Sequence, residues 1–276
     1  MPTRYRAVVE SPRPALDPDI VASEVRDPWS RLTIVDSTDS TNDDLLRAES
    51  SLPAGAVLAA EYQSAGRGRQ NRTWTSPPRA GLTFSVLLRP DVPPSRRGWL
   101  PLLAGIAVCD AVREVTSVDS ALKWPNDLLV GDEPAKAGGV LVQASPNAVV
   151  VGIGVNVSTT RSELPVPEAT SLELAGGAPV DRSRLLAAIL GHLGERYADW
   201  LSAGGDAEES FLRADYRARC ATLGQPVVVT PVVGSPYRGR ATDIDRQGRL
   251  VVLHDTGIEV IAAADVRHVR QPNGLT

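Results

Sequence analysis

Cysteine is nearly missing from this chain. Cys109 and Cys220 are the only two in 276 residues, far apart and without CxxC or Cys/His spacing, so neither a disulfide framework nor a zinc site is expected. A reducing cytoplasm fits that usage. Histidine is scarce too: His192, His254 and His268 fall in a helical segment and a strand-rich stretch, outside every glycine-rich turn. That leaves Ser-His-Asp and His-metal plans without a carrier. No apolar run reaches the length of a bilayer span, and the start, with Arg4 and Arg6 but no apolar region after them, is not of signal-peptide type. Nor is there a basic excess. A net charge of −4 and a pI near 5.5 argue against a surface built for long stretches of nucleic-acid phosphate. The sequence holds no G-x-x-x-x-G-K-[ST], and Gly152-x-Gly154 has Val157 where a dinucleotide fingerprint needs its third glycine. With 42% hydrophobic and 22% charged residues, the chain is expected to be a globular, cytoplasmic protein.

What the chain does have is positive charge concentrated in one place. From Glu61 to Trp74 it reads Glu-Tyr-Gln-Ser-Ala-Gly-Arg-Gly-Arg-Gln-Asn-Arg-Thr-Trp, with Arg67, Arg69 and Arg72 inside six residues. Two of the arginines alternate with glycines, which lack a Cβ and take positive φ, so such a loop can wrap an anion. Ala56–Ala60 before it and Leu82–Leu88 after it read as short buried strands. The arginines then sit on a connection carried by a sheet, where binding groups tend to be placed. A solvated surface loop is the competing reading of the same residues.

Along the chain, residues 1–28 hold five prolines and no long periodic segment, so an extended lead-in is expected, too short for a DNA-reading helix-turn-helix. Leu32–Val35 reads as a first strand, and Ser40 or Thr41 as the N-cap of a short helix. Gly98–Val115, apolar nearly all round, predicts a buried helix. Ala121–Asp127 is a strand end running into a turn at Pro125-Asn126-Asp127. Val140–Val142 and Ala148–Asn156 form a hairpin across Ser145-Pro146-Asn147. Asp181–Ala203 is the clearest helix, and Ala207–Cys220 is a second one with Phe211, Leu212 and Tyr216 on one face. From residue 223 the pattern changes to short strands at 227–229, 237–241, 250–253 and 258–261, which predict a small β-barrel. The expected class is α+β: a mixed, mainly antiparallel sheet with helices on one side, plus that barrel. The expected division is 1–28, 29–222 and 223–276.

Lys123, Asn126, Lys136 and Asn156 lie on other strand-end turns, with glycines at 66, 68, 138, 139, 152 and 154. Together with the arginine loop they suit phosphoryl or nucleotidyl chemistry on an acidic substrate. A carboxylate attacking an α-phosphate brings two anions together, and fixed cations lower that barrier.

These motifs also carry a resemblance. Ser40-Thr41-Asn42, Glu61-Tyr62-Gln63 with Ala65-Gly66-Arg67-Gly68-Arg69, Lys123-Trp124-Pro125-Asn126-Asp127, Lys136-x-Gly138-Gly139 and Gly152-x-Gly154-x-Asn156 resemble, in order, the successive motifs of the biotin protein ligases. The resemblance covers about residues 30–270, and the C-terminal stretch is similar to that family's SH3-like domain. Ser-Thr-Asn alone is a weak signal; the Gly-Arg-Gly-Arg loop with Lys-Trp-Pro-Asn-Asp is a strong one.

The resemblance implies a two-step reaction. Biotin and MgATP form biotinyl-5′-AMP and pyrophosphate, and a lysine of the biotin carboxyl carrier domain of an acyl-CoA carboxylase then takes the biotinyl group. It implies that Ser40, Thr41 and Gln63 hydrogen-bond the biotin rings, that Gly152 and Gly154 let strands close on them, and that Gly66 belongs to the biotin loop. It places Arg69 and Lys136 on the biotin carboxylate and α-phosphate, Arg67 and Arg72 on the adenylate or pyrophosphate, and Trp74 where biotin meets adenine. Asn126 and Asn156 go to the nucleotide, Lys123 joins the catalytic group, and Asp127 orients the incoming lysine. No magnesium ligands are read. The short form of the family is expected, with no DNA partner and no membrane, as a monomer or weak homodimer. Asn71, Ala137 and Gln143 depart from the family pattern, in which a glycine, a bulkier aliphatic and often a carboxylate stand there. These departures remove no charge from the centre and are expected to affect loop mobility or packing. Two other readings are a lipoate or octanoate ligase or transferase of the same fold and a nucleic-acid-binding regulator.

Overall fold

The computed structural model describes residues 13–25 and 27–269. Its larger sheet has seven strands: β1 (Arg31–Val35), β2 (Ala56–Ala60), β3 (Gly81–Leu88), β4 (Ser120–Lys123), β5 (Asp127–Val130), β6 (Ala135–Ala144) and β7 (Val149–Asn156). Their order is β1-β2-β3-β7-β6-β5-β4. The β1–β2 pairing is parallel, and the other five are antiparallel. Helices α1 (Pro18–Glu24), α2 (Thr41–Arg47), α3 (Leu100–Val115), α4 (Leu172–Gly176), α5 (Arg182–Ser202) and α6 (Leu212–Arg219) complete this part.

Alternation along the central strands decides which face is core and which is site. Leu82, Phe84, Val86 and Leu88 of β3, and Val149, Val151, Ile153 and Val155 of β7, enter the main core with α3 and α5. Thr83 and Ser85 then face the other way, across the ladder from Gly154 and Gly152. The α+β class holds, with α3 and α5 covering one face. Short α2 covers part of the other, around Leu45, Ala56, Leu87 and Val150. Ser40 caps α2 by accepting from the Asp43 N–H.

Several elements differ from the sequence expectation. The lead-in is not wholly extended: Asp17 caps α1 by accepting from the Asp19 and Ile20 N–H groups. This segment is strapped to the sheet by a buried ion pair, Arg182 Nη1 to Glu61 Oε2 at 2.7 Å, both side chains 5% exposed. Leu16 N–H donates to Glu61, and Arg182 donates to the Pro14 and Gly81 carbonyls. Helix α3 starts two residues late, after a 3-10 turn at Pro94–Trp99. Helix α6 is shorter than expected because Phe211 has φ 57°, the left-handed region; its ring is 74% exposed rather than on a buried face.

The C-terminal part is a five-stranded antiparallel sheet, β8 (Pro226–Pro231), β9 (Tyr237–Ile244), β10 (Leu250–His254), β11 (Gly257–Ile261) and β12 (Ala264–His268), in the order β11-β10-β9-β8-β12. Strand β12 was not expected; Ala-Asp-Val-Arg-His carries too little apolar patterning. Tryptophan indoles dock the two parts: Trp99 Nε1 donates to the Arg246 carbonyl at 2.8 Å and Trp124 Nε1 to that of Gly248 at 3.1 Å. No helix among the described residues is long and apolar enough to cross a membrane.

Candidate functional site

One cleft opens on the side of the larger sheet away from α3 and α5. Its floor is β7 and the start of α2, its near rim is the arginine loop, its far wall runs from Lys123 to Lys136, and its lip is Ala264–Val266 of β12.

The floor carries a chain of hydrogen bonds. Thr41 donates through N (2.8 Å) and Oγ1 (3.0 Å) to Gln63 Oε1. Thr41 Oγ1 lies 2.7 Å from Ser85 Oγ, and Ser85 donates to Asn42 Oδ1 at 2.6 Å. Asn42 Nδ2 in turn donates to Gln143 Oε1 at 2.7 Å and to the Leu141 carbonyl at 3.2 Å. Glycine makes this possible by leaving room. A Cβ on Gly152 would stand 2.1 Å from Asn42 Oδ1, and one on Gly154 would stand 2.7 Å from Trp74 Cε2. Asn42 and Trp74 therefore lie directly against β7. The Trp74 indole N–H is buried there with no partner among the described residues.

A bulge brings Lys136 to the same face. Gly139 and Leu141 pair with Gly154 and Gly152, so strict alternation would send Ala137 into the cleft and Lys136 into the core. The register shift opposite Leu128 and Leu129 adds one residue and inverts the parity. Ala137 is fully buried in the core, and Lys136 lines the cleft. Across the turn at Trp124-Pro125-Asn126, Lys123 pairs with Asp127, so their side chains share a face.

The cations are held by acids. Lys136 Nζ lies 2.5 Å from Asp127 Oδ1, Arg67 lies 3.1 Å from Asp43, and Arg72 lies 2.9 Å from Asp265 of β12. Arg69 is the loop arginine without a carboxylate partner among the described residues; it donates to Asn126 Oδ1 at 3.4 Å. Burial lowers its guanidinium from the ordinary value, opposed by the fields of Asp127 and Asp265. These acids offset the mutual repulsion of the cations gathered at the rim. The loop itself is bent tightly, with Gln70 (φ 55°) and Asn71 (φ 59°) both left-handed, a conformation that costs a residue with a Cβ about 1 kcal/mol or more.

All but two of the expected site residues line this cleft. Gly66 lies at the loop's root, its carbonyl accepting from the Trp74 N–H, and Asn156 turns its amide away to the Thr170 carbonyl at 3.0 Å. Sequence reasoning missed Ser85, Leu141 and Asp265. Only alternation in β3 could have signalled Ser85, and nothing local marks Asp265. The cleft sets a hydrogen-bonding floor beside a rim of arginine and lysine side chains, an arrangement suited to an anion.

The chain is similar to known proteins over most of its length. The profile of the Biotin/lipoate A/B protein ligase family matches residues 34–159, and that of the Biotin protein ligase C terminal domain matches residues 222–269. The biotin--[acetyl-CoA-carboxylase] ligase of Mycobacterium tuberculosis is 42% identical over 248 residues, covering 88% of this chain and 90% of the relative. Its counterpart from Paracoccus denitrificans is 31% identical over 240 residues, 83% and 97% of the two chains. Among solved structures, the Aquifex aeolicus biotin protein ligase in complex with biotin and ATP superposes with a TM-score of 0.74 at 28% identity. It covers 87% of this chain and 100% of that one.

Proposed function

The chain belongs to the biotin protein ligase family, and from that premise we propose that its cleft makes biotinyl-5′-AMP and passes biotin to a carrier lysine. The carrier is the biotin carboxyl carrier domain of an acyl-CoA carboxylase. The supporting observation is the joining, in one cleft, of a polar floor at Thr41, Asn42 and Gln63 to a rim with Arg67, Arg69, Arg72 and Lys136.

In the first step a biotin carboxylate oxygen attacks the α-phosphorus of ATP, the α-phosphoanhydride bond breaks, and pyrophosphate leaves. Arg69 and Lys136 offset the charge gathered at the α-phosphate, while Arg67 and Arg72 take the leaving phosphates as they release Asp43 and Asp265. Magnesium enters as MgATP. Trp74 packs between biotin and adenine, over Gly154.

In the second step the ε-amine of the carrier lysine attacks the biotinyl carbonyl and AMP leaves. That amine has an ordinary pKa near 10.4 and must give up a proton to react. Asp127, freed from Lys136 when the anion arrives, is placed in the role of orienting it. The mixed anhydride hydrolyses readily, and the arginine loop closing over it excludes water.

Pyrophosphate release from MgATP is measured with biotin, lipoate or no acid, followed by avidin blotting of a carrier domain and its target-lysine-to-alanine variant. Biotin-dependent release with lysine-dependent labelling is expected. Turnover with lipoate alone moves the assignment to the sister activity.

A further inference from the structure

An acid at the lip of an anion site works against the ligand that the site attracts. Five lysine and arginine side chains line the cleft together with two carboxylates, Asp127 and Asp265. Asp127 belongs to the larger sheet and pairs with Lys136, whereas Asp265 comes from the smaller one. Its neighbours on β12, Ala264 and Val266, enter the core, and alternation turns Asp265 to the opposite face, over the cleft. There Asp265 Oδ2 accepts from Arg72 Nη2 at 2.9 Å. Its charge reaches Arg69 as well: burial lowers that guanidinium, and the fields of Asp127 and Asp265 oppose the shift. Asp43, which holds Arg67, stands outside the cleft lining. The partners in the Arg72–Asp265 pair differ in freedom. Asp265 is fixed in a ladder opposite Thr230 of β8. Arg72 rides on the loop, its side chain 61% exposed and its carbonyl accepting from the Gly68 N–H at 2.7 Å.

A phosphate that takes Arg72 must displace Asp265 and then lie beside its charge. Both effects oppose phosphate binding and favour its departure. We propose that Asp265 is a positioning residue for pyrophosphate release: it competes with phosphate for Arg72 and takes the guanidinium back as pyrophosphate leaves. This deepens the ligase reading and rests on it, since there Arg72 meets the leaving phosphates. Pyrophosphate held beside new adenylate can attack the α-phosphorus, break the bond to the biotinyl carboxylate and regenerate ATP and biotin; its departure removes that nucleophile. An ion pair this exposed holds back a competing ligand by up to about fivefold, and repulsion between the carboxylate and the phosphate adds to that. An acid that only anchored the loop would have the opposite effect, because its loss would loosen the arginines and weaken phosphate binding.

The test titrates the full chain with magnesium pyrophosphate by calorimetry, and reads KM for ATP and for biotin from biotin incorporation into a carrier domain. Asp265→Asn keeps an acceptor for Arg72 and removes the charge. Its pyrophosphate Kd should fall roughly three- to tenfold, with ATP KM falling in the same direction and biotin KM unmoved. The gain should shrink as salt rises from about 50 mM to about 500 mM, and in an Arg72→Gln background. Asp265→Glu keeps the charge and should stay near wild type. Asp255→Asn, on the exposed turn between β10 and β11, changes the net charge equally and should move none of these constants. Pyrophosphate binding that is undetectable, unchanged or weaker in Asp265→Asn overturns the proposal, as does an equal gain in Asp255→Asn or in the Arg72→Gln background. Wild-type protein without biotin-dependent turnover removes the ligase reading instead, on which the pyrophosphate titrations do not depend.

Discussion

Replacing Gly152 by alanine tests the floor most severely for the least chemistry. The new Cβ would lie 2.1 Å from Asn42 Oδ1 and 2.8 Å from its Cγ, whereas unstrained heavy-atom contacts begin at about 3.5 Å. Because the nearer neighbour is a side chain held on both sides, relief requires Asn42 to move well over an ångström. That breaks its bonds to Ser85 (2.6 Å), Gln143 (2.7 Å) and Leu141 (3.2 Å) together. At about 0.5–1.5 kcal/mol each, the loss is about 1.5–4.5 kcal/mol of folding stability, and biotin affinity should fall about tenfold for each hydrogen bond of about 1.4 kcal/mol that the displaced floor no longer makes to it. Gly152 has no positive φ, so the backbone itself accepts alanine, and the effect is steric. Calorimetric titration of the variant with biotin reads it. Gly191→Ala in α5, where a Cβ meets nothing within 4 Å, serves as a control and should gain about 0.5–1 kcal/mol of stability. Biotin binding by Gly152→Ala within threefold of wild type, with an unchanged melting temperature, refutes the reasoning.

Arg69→Ala should slow adenylate formation roughly a hundredfold and release the adenylate that does form into solution faster than wild type, read by filtration of a single-turnover mixture. Arg182→Met strips the partner from Glu61 at 5% exposure, leaving a buried lone carboxylate. The expected cost is about 3–5 kcal/mol, seen as a large drop in urea midpoint, with activity lost only as unfolding sets in. Hydrogen bonding from Arg13 holds the Glu163 carboxyl at about 2, below its ordinary 4.5. For a depressed carboxyl the stabilisation is full above the ordinary value and is lost as pH falls through the lower one. Wild type and Glu163→Gln should therefore differ in stability at neutral pH and converge between the two values, as urea melts across acid pH would read.

How much of this could be read in advance depends on how local each cause is. Capping and periodicity are local, so Ser40 at α2, Asp181 at α5 and the β6–β7 hairpin were legible from a few residues each. The arginine loop and the Lys123–Asp127 turn were legible as chemistry because their charges crowd within short stretches. Lys136 reached the cleft by a bulge that no alternation pattern announces, since the residues around it, Ala135, Ala137 and Gly138, are small. Asp265 needed the docking of β12 against the larger domain, a contact 193 residues away from Arg72. Gln143 was visible only as a departure from a pattern. Its partner Asn42 lies 101 residues earlier, and neither residue predicts the other without the β7 glycines between them. Helix α1 was obscured by five prolines in its neighbourhood, although Pro18 occupies the first helical position, where its missing N–H does no harm.

The central claim is that one cleft builds biotinyl-5′-AMP and keeps it. The most direct measurement incubates the full chain with biotin and MgATP in the absence of any acceptor, passes it through a desalting column, and identifies the small molecule that stays with the protein by mass spectrometry. One biotinyl-5′-AMP per chain, discharged on addition of a carrier domain with AMP left behind, is the predicted result. Retention of unreacted biotin alone, or of ADP, contradicts the account.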